Sequence, residues 1–431
     1  MRIAVIGTGY VGLVSGACLA EVGHEVQAVD RDAGKVAALQ AGEVPIYEPG
    51  LDALIARNAA AGRLCFGTDL AAAVGGAEAV LIAVGTPQGP DGAADLGHVH
   101  AAAREVGAAL TGFAVVVVKS TVPVGTNRAV AALLAEAGAD AAVASNPEFL
   151  SEGIAVRDFM EPDRIVLGLA DPRARPVLEA LYAPFAARGV PVVWTNLESA
   201  EMIKYAANAF LAAKVTFINE VAGLCEHVGA DVGDVAHGIG LDARIGPRFL
   251  RAGPGFGGSC FPKDTEAFAQ TGRAHGVPLR ITEAVIAANA GVKARMIRKV
   301  AALRPEGLRG ATVAVLGVTF KPGTDDLREA PALSLVPALQ AAGATVRATD
   351  PQGEREGQHL LPGVAWAPDA YAAAAGAHLA VLLTEWDTFR ALDLRRLASA
   401  MAEPRLADLR NVWSEAEARA AGFVGYDSVG R

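Results

Sequence analysis

Two stretches of the sequence carry residue types and spacings that could do chemistry. Gly7-Thr8-Gly9-Tyr10-Val11-Gly12 follows a short apolar run, Ile3 to Ile6, and precedes a helical pattern, Val11 to Val22. Glycines at this spacing permit a tight turn, close approach of a pyrophosphate to the backbone, and packing of the helix on the strand. The unused N–H groups at the start of such a helix face the phosphates. Asp30 ends the next apolar run, Glu25 to Val29, where a carboxylate can accept from ribose hydroxyls. It favours NAD, although the basic neighbour Arg31 could serve a 2′-phosphate. The second stretch is Gly253-Pro254-Gly255-Phe256-Gly257-Gly258-Ser259-Cys260-Phe261-Pro262-Lys263-Asp264. Its glycines let the backbone approach a ligand closely. A thiol next to an ammonium, here Lys263, is shifted toward the reactive thiolate. A dehydrogenase with such a thiol can trap an aldehyde as a thiohemiacetal, oxidise it to a thioester and hydrolyse that to an acid.

Elements must hold these residues. The first 150 residues alternate strand and helix, with Ala79 to Val84 and Ala114 to Val118 as nearly continuous apolar runs. Such runs suit parallel strands covered on both faces. From Ser199 to Gly229 a helical pattern runs without Pro, with polar start signals at Leu197 to Glu201 and a stop at Gly229. It would span about 46 Å and bridge domains or form a dimer seam. From Gly310 the strand–helix rhythm restarts, with strands at Thr312 to Leu316, Thr345 to Thr349 and Leu379 to Leu383. The turn Gly317-Val318-Thr319-Phe320-Lys321 lacks the three-glycine spacing, so it should bind something other than a dinucleotide. The expected fold is α/β, with two Rossmann-like doubly wound domains joined by a long central helix. The expected division is 1–196 for the cofactor, 197–300 for a central helical region with the cysteine loop, and 301–431 for a second α/β domain.

The whole chain has 431 residues and a formal net charge of −9, which points away from nucleic acid as a partner. Hydrophobic residues make up 52%, enough for sizeable cores. Arg2 and the apolar run to Ala20 mimic a signal peptide, but Gly7, Gly9 and Gly12 interrupt it in the pattern above. No apolar stretch reaches the length of a membrane span, and Ala370 to Leu383 is short and contains His378. The four cysteines, Cys18, Cys65, Cys225 and Cys260, are too scattered for CxxC metal or redox motifs, so no metal site is expected. A reducing cytoplasm is the expected compartment. Cys18 and Cys225 fall in helical patterns and Cys65 in a strand, and all three read as structural.

With these residues the chain resembles the UDP-glucose/GDP-mannose dehydrogenase family over essentially its whole length. The resemblance rests on the turn Gly7 to Leu13 and on Pro45-Ile46-Tyr47-Glu48-Pro49-Gly50. It continues through Ser120-Thr121-Val122-Pro123-Val124-Gly125-Thr126, Asn146-Pro147-Glu148-Phe149-Leu150, the cysteine loop, and Phe320-Lys321-Pro322-Gly323-Thr324-Asp325-Asp326. It implies oxidation of a nucleotide-sugar C6 alcohol to a carboxylate with two NAD and one water, in a homodimer formed through the central helix. UDP-glucose is the implied substrate, since Asp242-Ala243-Arg244-Ile245-Gly246-Pro247 resembles that branch. GDP-mannose or a UDP-N-acetylhexosamine is the alternative. Cys260 would be the nucleophile, and Lys204 and Asn208 would stabilise the oxyanion. Asp264 would act with a bound water as acid and base, Thr121 would place that water, and Glu148 would assist thioester hydrolysis.

By the same resemblance NAD would meet Gly7, Gly9, Tyr10, Val11, Gly12, Asp30, Lys35, Thr86, Thr121, Glu152, Lys263 and Arg328. The sugar nucleotide would meet Glu148, Phe149, Leu150, Lys204, Asn208, Phe249, Leu250, Arg251, Ala252, Gly253, Gly257 and Lys321, with Arg244 reaching across the dimer. The residues themselves support part of this. Lys204 and Asn208 stand one turn apart on one helix face, as a cation and an amide aimed at one oxyanion would. The ordinary alternative pairs Lys204 with Glu201 on a solvated face. Glu148 and Glu152 would share a face if the chain is helical there.

Overall fold

The computed structural model describes residues 1–90 and 92–431. The chain forms two compact units, one of residues 1–207 and 270–276, the other of residues 208–269 and 277–431.

The first unit is built on eight strands: β1 Arg2–Ile6, β2 Glu25–Val29, β3 Leu64–Gly67, β4 Ala79–Ile82, β5 Ala114–Val118, β6 Ala141–Ser145, β7 Ile165–Leu169 and β8 Val192–Thr195. They lie in the order β3-β2-β1-β4-β5-β6-β7-β8. All pairs are parallel except β6 with β7. The apolar runs are buried on both sides, because alternate residues enter two separate cores. Ile3, Val5, Leu81, Val115 and Val117 face one, and Ala4, Ile6, Val80, Ile82 and Val116 the other.

The second unit repeats the topology. Strands β9 Thr312–Leu316, β10 Thr345–Thr349, β11 Ala365–Trp366, β12 Leu379–Leu382, β13 Arg405–Asp408 and β14 Gly425–Ser428 lie in the order β11-β10-β9-β12-β13-β14. This is the 3-2-1-4-5-6 order of dinucleotide folds. The two units also share a device. Asp30, just after β2, accepts from the Thr8 N–H and hydroxyl, both at 2.8 Å. Asp350, just after β10, accepts from the N–H groups of Val318 and Thr319 at 2.7 and 3.0 Å, and from the Thr319 hydroxyl. In each case a strand-end carboxylate ties down the turn after the neighbouring first strand.

The expected long helix runs from Leu197 to Val228, 32 residues, about 48 Å at 1.5 Å per residue. Its second residue pairs with Arg128. Its buried Glu201 accepts from the N–H groups of Gly125 and Asn127 and from the Asn127 amide, all at 2.7 Å. That carboxylate supplies the cap that helix Thr126–Glu136 lacks, since its own N-cap is Gly125 with φ 95°. Glu201 is thus engaged with Gly125 and Asn127, while Lys204 pairs with Glu148. A correction also applies to Glu148 and Glu152, whose segment is not helical: the next helix begins at Ala155. Pro147 disfavours helix at Asn146, and the Glu148 carboxylate is turned back onto its own backbone at Leu150.

Candidate active site

The glycine turn has the shape its spacing requires. Gly7 takes φ 100°, and a Cβ there would stand 2.8 Å from the Ala83 carbonyl oxygen. A Cβ on Gly12 would stand 1.9 Å from the Gly7 oxygen, so turn and helix could not both persist. Gly9 has open space around its Cβ direction. It is the N-cap of helix Tyr10–Glu21 and brings no side-chain cap to the first N–H groups. The turn thus fits a pyrophosphate. Burial alone would raise the Asp30 carboxyl, but hydrogen bonds from Thr8 and Asp32 and the charge of Lys35 outweigh it and hold it below the usual range. Lys35 lies 3.3 Å away, while Arg31 is paired with Glu105. The cation that could have served a 2′-phosphate already has a carboxylate partner. Thr86 donates to the Thr121 carbonyl at 3.0 Å, so the structure brings these two expected residues together.

In the same unit Glu148 and Lys204 form a buried ion pair, Nζ to Oε1 at 2.9 Å. Burial raises the Glu148 carboxyl, yet the charge and hydrogen bond of Lys204, the Leu150 N–H and the charge of Lys119 together hold it low and ionised. Lys204 also stands 5.4 Å from the centre of the Phe149 ring, whose face is covered by Arg164 at 3.6 Å. Glu152 is buried. Beside it, Glu48 accepts from the Tyr10 hydroxyl and from the N–H groups of Gly153 and Ala155 at 2.6 and 2.7 Å. One carboxylate thereby ties the glycine turn to the segment that carries Glu152. The motif around Glu48 was visible in the sequence, but its partners were too distant along the chain to infer.

The second unit holds the thiol. Cys260 immediately precedes helix Phe261–Ala274 and is partly exposed. Its Sγ has the Ser259 hydroxyl at 3.5 Å. One turn on, the Asp264 N–H donates to the Cys260 carbonyl at 2.8 Å. The Asp264 carboxylate is fully buried. It receives the Asn208 amide at 2.7 Å and the Lys263 ammonium at 2.6 Å. Two expectations are refined here. Lys263 is held on Asp264, so the aspartate shares the charge expected beside the thiol. Lys204 and Asn208 are each engaged with a carboxylate, Glu148 and Asp264, rather than presented as unengaged donors.

Two glycines of this loop also allow the chain itself to approach closely. A Cβ on Gly257 would lie 2.3 Å from the Glu329 carbonyl oxygen, and one on Gly258, at φ 84°, 2.7 Å from the Phe320 ring. The Gly258 N–H donates to the Arg328 carbonyl at 2.8 Å. The loop is thus docked on the segment carrying Lys321, which stands over the Phe320 ring. Leu250, Ala252 and Gly253 are buried, and Phe249 takes φ 65°. Arg244, Arg251 and Arg328 are exposed, with Arg244 on Asp242 and Arg328 on Asp326. Cys18 and Cys225 are buried as expected, whereas Cys65 is exposed on the edge strand β3.

The doubly wound sheet and its glycine turn define an NAD-dependent oxidoreductase. Three family models match in succession: the NAD binding domain of the UDP-glucose/GDP-mannose dehydrogenase family at residues 1–186, the central domain at 198–291 and the UDP binding domain at 314–415. The chain belongs to the UDP-glucose/GDP-mannose dehydrogenase family. It is 54% identical to a UDP-glucose 6-dehydrogenase of Rhizobium meliloti (strain 1021), with 100% of both chains covered. Among solved structures it is similar to a UDP-glucose dehydrogenase from Pyrobaculum islandicum, with TM-score 0.92, 40% identity, and 99% and 97% of the two chains covered. It is also similar to a UDP-D-ManNAc dehydrogenase from Pyrococcus horikoshii, with TM-score 0.87, 26% identity, and 100% and 99% covered.

Proposed function

We propose that the protein oxidises the C6 alcohol of UDP-glucose to the carboxylate of UDP-glucuronate, in two oxidations and one hydrolysis, through a thiohemiacetal and a thioester on Cys260. One observation carries this: the thiol stands at the head of a helix whose first turn brings a buried carboxylate, Asp264, onto the Asn208 amide. It does so in a chain with full-length identity of 54% to a UDP-glucose 6-dehydrogenase. The relative acting on UDP-D-ManNAc is less similar, at 26%, so UDP-glucose is preferred over an N-acetylhexosamine donor.

NAD, when bound, accepts a hydride in each oxidation. The residues that would hold it are the turn Gly7 to Gly12, Asp30, Lys35, Thr86 and Thr121, with Glu152, Lys263 and Arg328 as further contacts. Asp264 takes the proton of the C6 hydroxyl through a water placed by Thr121. The Cys260 sulfur adds to the resulting aldehyde carbon. Lys204 and Asn208 supply donors to the oxygen that becomes anionic, and preorganised donors of this kind are worth several kcal/mol in a dry site. Glu148, held ionised by Lys204, receives a proton from the water that cleaves the thioester. Phe249 to Gly253, Gly257, Lys321 and Arg244 hold the nucleotide. The division into residues 1–196, 197–300 and 301–431 follows these roles. The protein works in the cytoplasm as a homodimer. Supporting the dimer, Phe210, Phe217 and Leu224 follow one another at heptad spacing on the long helix and are 68%, 54% and 62% exposed.

The test is a donor panel with NADH counted per sugar consumed, together with Cys260→Ser. Two NADH per UDP-glucose are expected. The variant should bind NAD and donor and lose acid formation by at least about a thousandfold, as removal of other catalytic nucleophiles does. Full turnover by it would rule out the thioester route. Turnover with GDP-mannose or a UDP-N-acetylhexosamine alone would replace the substrate.

A further inference from the structure

A buried lysine remains that the chemistry above does not use. Lys119 follows β5 and is 4% exposed. Val118 of β5 pairs with Ser145 of β6, so Lys119 and Asn146 are the next residues on neighbouring strands. The Lys119 Nζ donates to Asn146 Oδ1 at 3.0 Å and stands 5.6 Å from the centre of the Phe159 ring. Asn146 is fixed from its other sides as well. The Tyr182 hydroxyl donates to the same oxygen, the Asn146 amide donates to the Val166 carbonyl at 2.9 Å, and its backbone N–H donates to the Val118 carbonyl at 3.0 Å. Two residues beyond Asn146 comes Glu148, in its pair with Lys204 from the long helix.

Lys119 is thus electrostatically coupled to both members of that buried pair, the carboxylate Glu148 and the second cation Lys204. Tyr182, from helix Ala174–Ala186, is the other titratable group in contact with Asn146. Burial pushes its hydroxyl well above its ordinary range, so it stays neutral. A second buried ammonium is unfavourable on stability grounds alone, since Glu148 and Lys204 already neutralise each other. Burial pushes the Lys119 ammonium down to about 8 despite the attraction of Glu148. At neutral pH it still carries its charge.

We propose that Lys119 is a positioning residue for thioester hydrolysis: through Asn146 it fixes the segment bearing Glu148, and its charge keeps Glu148 ionised while Lys204 is drawn toward the substrate oxyanion. This rests on the roles given above to Glu148 and Lys204. In that step the water oxygen bonds the thioester carbon, the electron pair of the C–S bond returns to the Cys260 sulfur, and a water proton passes to Glu148. Lys204 has only one ammonium to divide between Glu148 and an oxyanion. Without Lys119, the buried Glu148 would take up a proton from solvent whenever Lys204 leaves it, and could then accept none from water.

The test compares Lys119→Met and Lys119→Arg in the full-length enzyme, with kcat and KM measured across pH 6 to 10. Acid-quenched protein is weighed by mass spectrometry for the sugar nucleotide held on Cys260. Methionine matches the stem of lysine and leaves Asn146 its bonds to Tyr182, Val166 and Val118, so the fold should persist. The expected result for Lys119→Met is a kcat lower by roughly 10- to 100-fold. KM for donor and NAD should stay within about twofold, because the binding of the ground state is untouched. The acid limb of the kcat profile should move to higher pH, and the thioester should accumulate. Lys119→Arg, which keeps the charge, should recover much of the loss. A Lys119→Met enzyme with unchanged kcat and acid limb overturns the proposal. So does a uniform loss at every pH without thioester. Glu148→Gln separates the layers: full turnover by that variant removes the role given to Glu148 itself, whereas an impaired Glu148→Gln beside a normal Lys119→Met removes only the role of Lys119.

Discussion

Lys119 and Glu148 both make stability rise with pH, over different windows and for opposite reasons. Burial lowers the Lys119 ammonium from 10.5 to about 8. Between those values the unfolded chain binds more protons than the folded one, so stability rises with pH across the window. The full effect is roughly 3 kcal/mol at most. Denaturant unfolding at pH 7 and pH 10 should show the wild type gaining more than Lys119→Met over that interval, and equal gains would contradict the burial described. Glu148 is also shifted down, but for an acid that favours the charged form in the folded chain. Its folded carboxyl lies below the unfolded value, so its contribution is complete above the unfolded value and is lost as pH falls through the folded one. Acid unfolding of Glu148→Gln should therefore set in less steeply below pH 5 than that of the wild type. At this scale the sequence was informative where a residue sits in a rigid pattern, as Asp30 and Cys260 do. Lys119 was illegible, because a lysine after an apolar strand reads as the point where the chain returns to solvent. Only the pairing of β5 with β6 places it beside Asn146.

The elements were legible to the extent that hydrophobic period and glycine spacing specify them. Continuous apolar runs became two-faced parallel strands, and the pattern without Pro became one unbroken helix. The condition that did not hold was helix around Glu148 and Glu152, since the Glu148 carboxylate caps its own backbone at Leu150 and the distant Glu48 takes the N–H groups of Gly153 and Ala155. The glycines yield a prediction at this scale. Gly12→Ala places a methyl 1.9 Å from the Gly7 oxygen, so turn and helix must separate. NAD binding, followed by calorimetry, should weaken by at least about a hundredfold, roughly 2.7 kcal/mol. Donor binding to the second unit should persist. Gly258→Ala should do the reverse, because its methyl would meet the Phe320 ring at 2.7 Å and its φ of 84° disfavours any side chain.

For the whole molecule, the length of the central helix was readable, but which of its faces stays uncovered was not. The stripe Phe210, Phe217, Leu224 and Val228 is more apolar surface than a solvated helix face ordinarily shows. Phe217→Glu should halve the mass measured by sedimentation if two copies meet there, and an unchanged mass would exclude this face as the seam.

The aspartate after β10 has a consequence for its counterpart after β2. Asp350 clasps a turn that has shed the dinucleotide spacing, so this latch evidently serves architecture whether or not a coenzyme is nearby. Asp30 inherits that duty through Thr8. An Asp30→Ala enzyme that no longer holds NAD would thus confound two defects, a missing ribose contact and a sprung hinge. Only a substitution that preserves the grip on Thr8 can tell them apart.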